Sequence, residues 1–105
     1  MREIRLVGLD KRRPAVVLTR ERIVPYLSGI TVAPITTTVR GLTTEVHVGP
    51  GNGLDHASVV SCDAITTVPP EHLGPIIGYF LPSQEPALSR AIVAAFDLDA
   101  PAPGT

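Results

Sequence analysis

The chain has 105 residues, of which 44% are apolar and 18% charged, enough for one modest core and too few for a second catalytic domain. The formal net charge of −1 argues against a uniformly basic nucleic-acid binder. The lone cysteine, Cys62, excludes an intramolecular disulfide, a thiol redox pair and a cysteine-rich zinc site, and it reads as a small hydrophobe.

Aromatic residues make up only 4% of the chain, so Val, Ile, Leu and Ala must fill the interior, a composition that suits β-structure. Glu3 to Leu9 alternates weakly and predicts a first strand, ended by a tight turn in Asp10-Lys11-Arg12-Arg13. Pro14 to Thr19 and Ile30 to Thr36 are β-branched runs, with Pro25 and Ser28-Gly29 punctuating the connection between them. Pro34 implies an edge or a bulge, because proline has no amide hydrogen for the ladder.

A polar loop, Thr36 to Gly41, leads into Thr43 to Val48, where Val46 and Val48 alternate with Glu45 and His47. Gly49-Pro50-Gly51-Asn52-Gly53 is a loop. Ser58 to Val68 predicts one long strand bent near Asp63 or Ala64, Pro69 to Leu73 a single helical turn, and Pro75 to Leu81 the last strand. Ser83 is the expected N-cap of a closing helix, with Pro86 in its first turn and Leu88, Ala91, Ile92, Ala95 and Phe96 as its apolar stripe. These elements form one domain over residues 1–98, followed by a flexible tail over residues 99–105.

No phosphate-binding glycine motif appears, and His47, His56 and His72 lie on separate elements, so neither nucleotide hydrolysis nor a metal site is expected. The apolar stretches are too short to cross a bilayer and no cleavable leader opens the chain, which predicts a cytoplasmic protein with no membrane partner. Charge is uneven along the sequence. Through Arg22, seven basic residues face three acids, a local charge of +4; after it, two face seven, a charge of −5. A positive end on a negative body attracts a polyanion to one face, or else forms a solvated rim.

Arg12-Arg13-Pro14-Ala15-Val16-Val17-Leu18, followed by Val32-Ala33-Pro34-Ile35-Thr36-Thr37, resembles the MazF/PemK family of bacterial toxins. In that family an Arg-Pro-aliphatic strand precedes a strand ending in an aliphatic-Thr/Ser step. The resemblance continues through Ser58-Val59-Val60, Asp63 to Val68, Ile76-Ile77-Gly78 and Phe96-Asp97-Leu98, covering about residues 3 to 98. It implies a mainly β, α+β fold: a small, strongly curved, β-barrel-like sheet with short helices and a C-terminal helix. It also implies a homodimer whose groove receives single-stranded RNA, or the peptide of a cognate antitoxin. The implied activity is that of a sequence-specific, metal- and cofactor-independent endoribonuclease, with catalytic roles for Arg13 and Thr36.

Those residue types suit the chemistry. RNA carries its own nucleophile, the 2′-hydroxyl, and attack on the adjacent phosphate gathers charge that a fixed guanidinium and a hydroxyl can meet. Arg12, Thr37, Thr38, Arg40 and His56 are candidates for RNA contact, each with a plain alternative as a solvated or strand-ending residue. The longer loop that many members carry after the first strand, with its acidic residue, is replaced here by Asp10-Lys11-Arg12, leaving Asp10, His56 or solvent as the general base. The family's frequent glutamine near the bent strand is Ala64. Competing readings are a gyrase-poisoning toxin of the same scaffold and a plain RNA- or protein-binding β-module, the latter disfavoured by the shortage of aromatic stacking platforms.

Overall fold

Two consecutive runs, Pro14 to Leu18 and Ile30 to Ile35, are apolar almost without interruption because the strands they form are covered on both faces. The computed structural model describes residues 1–98. Within them lie β1 (Arg2–Gly8), β2 (Arg12–Val17), β3 (Ile30–Thr36), β4 (Glu45–Val48), β5 (Ser58–Ser61), β6 (Thr66–Val68), β7 (Leu73–Phe80) and the helix α1 (Glu85–Ala95). The tail expected over residues 99–105 lies outside the described residues. Among those described, no helix is long and apolar enough to cross a membrane.

All pairings are antiparallel, in the order β4-β5-β3-β2-β1-β7, with β6 on the same edge of β3 as β5. One face packs Ile4, Val16, Ala33, Ile35, Val60 and Phe80 under Leu88 and Ala91 of α1. The other face packs Val7, Ala15, Val17, Ile30, Val32 and Val68. Odd and even positions of β2 and β3 go to different cores, as the period-two geometry of a strand requires. Cys62 belongs to the first core, and its burial, aided by Asp63, pushes its thiol up to about 11, as an inert packing residue requires.

The long strand expected over 58–68 is two strands separated by a 3-10 turn at Cys62–Ala64. β5 pairs Ile35 with Val60, β6 pairs Val32 with Thr66, and the turn falls opposite Ala33 and Pro34. Proline has no donor to offer on that edge, so the neighbouring chain leaves the ladder where no bond could form. Three smaller expectations also shift. The link between β2 and β3 contains a 3-10 turn at Glu21–Tyr26, and the fourth strand begins at Glu45, after a turn closed by the Glu45 amide on Leu42 O at 3.1 Å. Ser83 is not the N-cap: it lies inside a 3-10 turn, Pro82–Gln84, and the Gln84 side chain accepts from the Leu81 amide at 2.9 Å.

The sheet is curved but not closed by a ladder. Its two ends, β4 and β7, are joined instead by the turn Pro50–Asn52, where Asn52 is 4% exposed. Asn52 Nδ2 donates to Tyr79 O at 3.0 Å and to Gln84 Oε1 at 2.6 Å, while its Oδ1 accepts from the Gly49 amide at 3.1 Å and from Gln84 Nε2 at 3.2 Å. The chain can come this close because the facing residues are glycines. A Cβ on Gly78 would collide with the Asn52 carbonyl, and Gly53 holds φ +88 against the backbone of Ile77.

Gly78→Ala therefore forces this seam apart. Overpacking of this kind costs about 1–3 kcal/mol, and the backbone collision puts it at the upper end. A fall in melting temperature of roughly 10 °C or more is expected in a thermal unfolding scan, against little change for Gly51→Ala, where an added Cβ meets open space.

Candidate active site

β2 and β3 pair Ala15 with Pro34, Val16 with Ala33 and Val17 with Val32. Two residues further along the same register, Arg13 stands opposite Thr36, at the mouth of the sheet. Directly opposed residues of an antiparallel pair project to one face, so the two side chains share a surface. That surface is a groove of about 550 Å³ lined by Lys11, Arg13, Thr36, Thr37, Thr38, Arg40, Leu42, Glu45, Ser61, Asp63 and Ala64. Arg13, Thr36, Thr37, Thr38 and Arg40, singled out from sequence, are thus brought together. His56 lies in an adjoining depression of about 150 Å³ that shares Thr36 and Thr37. Arg12 does not join them: it lines a separate hollow with Gly8, His72 and Gly74 on the far side of β1.

Arg13 is held in place by its neighbour. Its Nε and Nη2 donate to the two carboxylate oxygens of Asp10 at 3.0 and 3.1 Å, a fork-to-fork pair that fixes the plane of the guanidinium. The Arg13 hydrogen bond, with help from the Lys11 amide, lowers Asp10 to about 2, and Asp10 in turn raises Arg13. Thr36 is oriented too: its Oγ1 accepts from the Thr38 amide at 3.1 Å, which occupies a lone pair and leaves the hydroxyl hydrogen free to donate.

The far wall of the groove is organised by Glu45. Its carboxylate accepts from the Leu42 amide at 3.0 Å and from the Arg40 amide at 3.2 Å, folding the 40–42 loop over the β4 end and lowering the Glu45 pKa. Asp63 accepts from the Thr44 hydroxyl at 2.6 Å. Both acids in the groove are engaged internally, whereas Lys11 and Arg40 make no ion pair among the described residues. Sequence reading missed Lys11, Glu45 and Asp63 as groove residues. The only sequence signal was the outward phase of Glu45 on an alternating strand, and nothing local marks Lys11 or Asp63.

The basic N-terminal third is less positive in space than in sequence. Arg2 pairs with Glu85 at 2.8 Å and Arg5 with Glu3 at 3.1 Å, on the β1 surface away from the groove. The positive character that remains at the groove comes from Lys11, Arg13 and Arg40.

Residues 3–96 match the family described as PemK-like, MazF-like toxin of type II toxin-antitoxin system. The chain belongs to the PemK/MazF toxin family. Among its relatives, Endoribonuclease MazF3 of Mycobacterium tuberculosis is 61% identical over 99 residues, covering 94% of this chain and 96% of that protein. The Probable endoribonuclease MazF5 of the same organism is 37% identical over 87 residues, 82% of this chain and 80% of that protein. The structure of Mycobacterium tuberculosis toxin MazF-mt6 superposes with a TM-score of 0.91 at 59% identity, over 93% of this chain and 99% of that one. A MazF from Deinococcus radiodurans shares the fold with a TM-score of 0.79 at 14% identity, over 91% of this chain and 94% of that one. The PemK/MazF scaffold is thus the mainly β sheet with a C-terminal helix described above.

The Asp10–Arg13 pair has a defined pH window. Because folding lowers the Asp10 pKa, the pair stabilises the loop fully above the ordinary value of 3.8 and loses that effect as pH falls toward about 2. An NMR titration of the Asp10 carboxyl should find its midpoint near 2. In Arg13→Ala the midpoint should climb toward 3.8; an unchanged midpoint would show that the guanidinium is not the cause.

Proposed function

We propose that this chain is a sequence-specific endoribonuclease of a type II toxin-antitoxin system, acting in the cytoplasm as a homodimer on single-stranded RNA. Its 2′-hydroxyl chemistry leaves a 2′,3′-cyclic phosphate and a 5′-hydroxyl. A cognate antitoxin silences it by occupying the RNA groove. The endoribonuclease names of its 61% and 37% identical relatives support the activity. The observation that carries the mechanism is the groove shared by Arg13 and Thr36, on strands whose register sets them opposite one another.

When the 2′-oxygen attacks the neighbouring phosphorus, negative charge grows on the nonbridging oxygens. A donor already aimed there stabilises the transition state more than the ground state. Arg13 presents a pre-oriented fork, since Asp10 has fixed its plane before substrate arrives and the remaining three N–H groups, two on Nη1 and one on Nη2, are left for the phosphate. Thr36 adds a hydroxyl donor whose direction is set by the Thr38 amide. Lys11 and Arg40 flank the track with charge that positions the backbone without reading sequence. The developing charge is met by guanidinium and hydroxyl groups, so the reading requires no metal.

Asp10 serves chiefly to position Arg13. A carboxyl held at about 2 stays ionised throughout the working range but accepts a proton weakly, which leaves His56, in the adjoining depression, or solvent to assist the 2′-hydroxyl.

The pure protein should cleave RNA in the presence of excess chelator, with product ends of the stated kind. Arg13→Ala should lose on the order of 10²–10³-fold in rate, the usual effect of deleting one transition-state donor, while keeping its fold by circular dichroism. Thr36→Ala should follow it, with smaller losses for Thr37→Ala and Thr38→Ala. Wild-type cleavage by Arg13→Ala would remove the assignment, and RNA left intact by the wild type would favour a gyrase-poisoning toxin or a plain binding module.

A further inference from the structure

We propose that the small depression beside the groove, walled by Pro14, Ile35, Leu54, Asp55 and His56, reads one base flanking the scissile phosphate. It selects a base carrying an exocyclic amine, with the Asp55 carboxylate as the accepting group. This rests on the nuclease reading above and adds the source of its sequence preference.

The depression is about 150 Å³, room for one ring system, and it opens directly off Thr36 and Thr37. Pro14 and Ile35 alternate with Arg13 and Thr36 and face the other side of the sheet, so the hollow meets the groove only at Thr36 and Thr37, and a nucleotide held at Thr36 enters it by turning its base around the strand end. The floor of Pro14, Ile35 and Leu54 offers an apolar surface for the faces of a heterocycle, and the His56 imidazole supplies an aromatic ring at its wall. The rim supplies the polarity. Asp55 is exposed and its side chain makes no hydrogen bond to any described residue, so it is free to bond a ligand.

A carboxylate accepts and cannot donate, so it favours a base edge that presents N–H groups. Cytosine, adenine and guanine each offer an exocyclic amine. Uracil offers a single N–H between two carbonyl oxygens, both of which would face the carboxylate.

The wall is built before any ligand arrives. Asn52 is anchored to Tyr79 O and Gln84, and Gly53 turns the chain with φ +88. Leu54 then inserts into the core at 9% exposure, which presents Asp55 and His56 outward. The loop is closed by the Ser58 hydroxyl, itself 5% exposed, donating to His56 O at 2.9 Å. A rigid wall pays little ordering entropy on binding and can hold an acceptor at a fixed distance from the cleavage point.

The test varies each of the two nucleotides flanking the cut in a short cleavable RNA through all four bases. It compares kcat/KM for wild type, Asp55→Asn and Asp55→Ala, all checked for unchanged thermal unfolding. The wild type should disfavour uridine at one flanking position by about 10–100-fold, the discrimination that one good base contact supplies. Both variants should shrink that ratio to a few-fold, largely by cutting the uridine substrate as well as the others. A wild type that cuts all four bases alike at both positions overturns the inference, as do variants that cut RNA with the wild-type base ratio. The nuclease reading stands in both of those outcomes and falls only if the wild type cuts none of the RNAs.

Discussion

The pairing of β2 with β3 through Ala15–Pro34, Val16–Ala33 and Val17–Val32 is clamped from both faces and both edges. Val16 and Ala33 are locked in the core beneath α1, Ala15, Val17 and Val32 in the opposite one. A slip of one residue would push each set into the other's space, so register is specified on both sides at once. The position of Arg13 relative to Thr36 follows from that register, and it is set by packing several residues away from either. The geometry at the sheet mouth thereby inherits its precision from a dry interior.

Proline at position 34 shapes the other edge of β3. The three residues Cys62, Asp63 and Ala64 leave the ladder where Pro34 has nothing to donate, and Asp63 and Ala64 become part of the groove wall. Acids do most of the holding around this site. Asp10 fixes a guanidinium, Glu45 gathers two loop amides and Asp63 takes the Thr44 hydroxyl. Their hydrogen bonds hold the framework in place, leaving Lys11 and Arg40 without an ion pair among the described residues.

Strands β1 to β3, β7 and the closing helix were legible in the sequence because each carries a period or a β-branched run long enough to declare itself. Of the apolar stripe predicted for α1, Leu88, Ala91, Ile92 and Ala95 pack on the first core, whereas Phe96 lies at the C-cap, past the last helical turn, and is 56% exposed. What the sequence hid was governed by contacts distant along the chain. Pro34 signalled an irregularity, but only its pairing partner reveals that the neighbouring chain forms a turn there. Ser83 had the chemistry of a cap, yet Gln84 took the Leu81 amide because it was already held by Asn52. At the site, Arg13 and Thr36 could be named from a family resemblance, whereas the roles of Glu45 and Asp63 depend on a loop folding back across the sheet. Arg12 and Arg13 are adjacent in sequence, and strand alternation alone sends one to the groove and the other to a different hollow.

The seam between the two ends of the sheet includes an Asn-Gly step, Asn52-Gly53. In a loose chain this dipeptide ages quickly, because the glycine amide nitrogen attacks the side-chain carbonyl and expels ammonia. Here the Gly53 amide is committed to Pro50 O at 3.0 Å and the Asn52 amide is tied on both its oxygen and its nitrogen, so the two groups are kept from meeting in reactive alignment. Shelter from spontaneous deamidation thus comes from the same contacts that join β4 to β7. A chain that deamidates while unfolded would have to bury a carboxylate on refolding at a position that is 4% exposed and faces two acceptors, Tyr79 O and Gln84 Oε1.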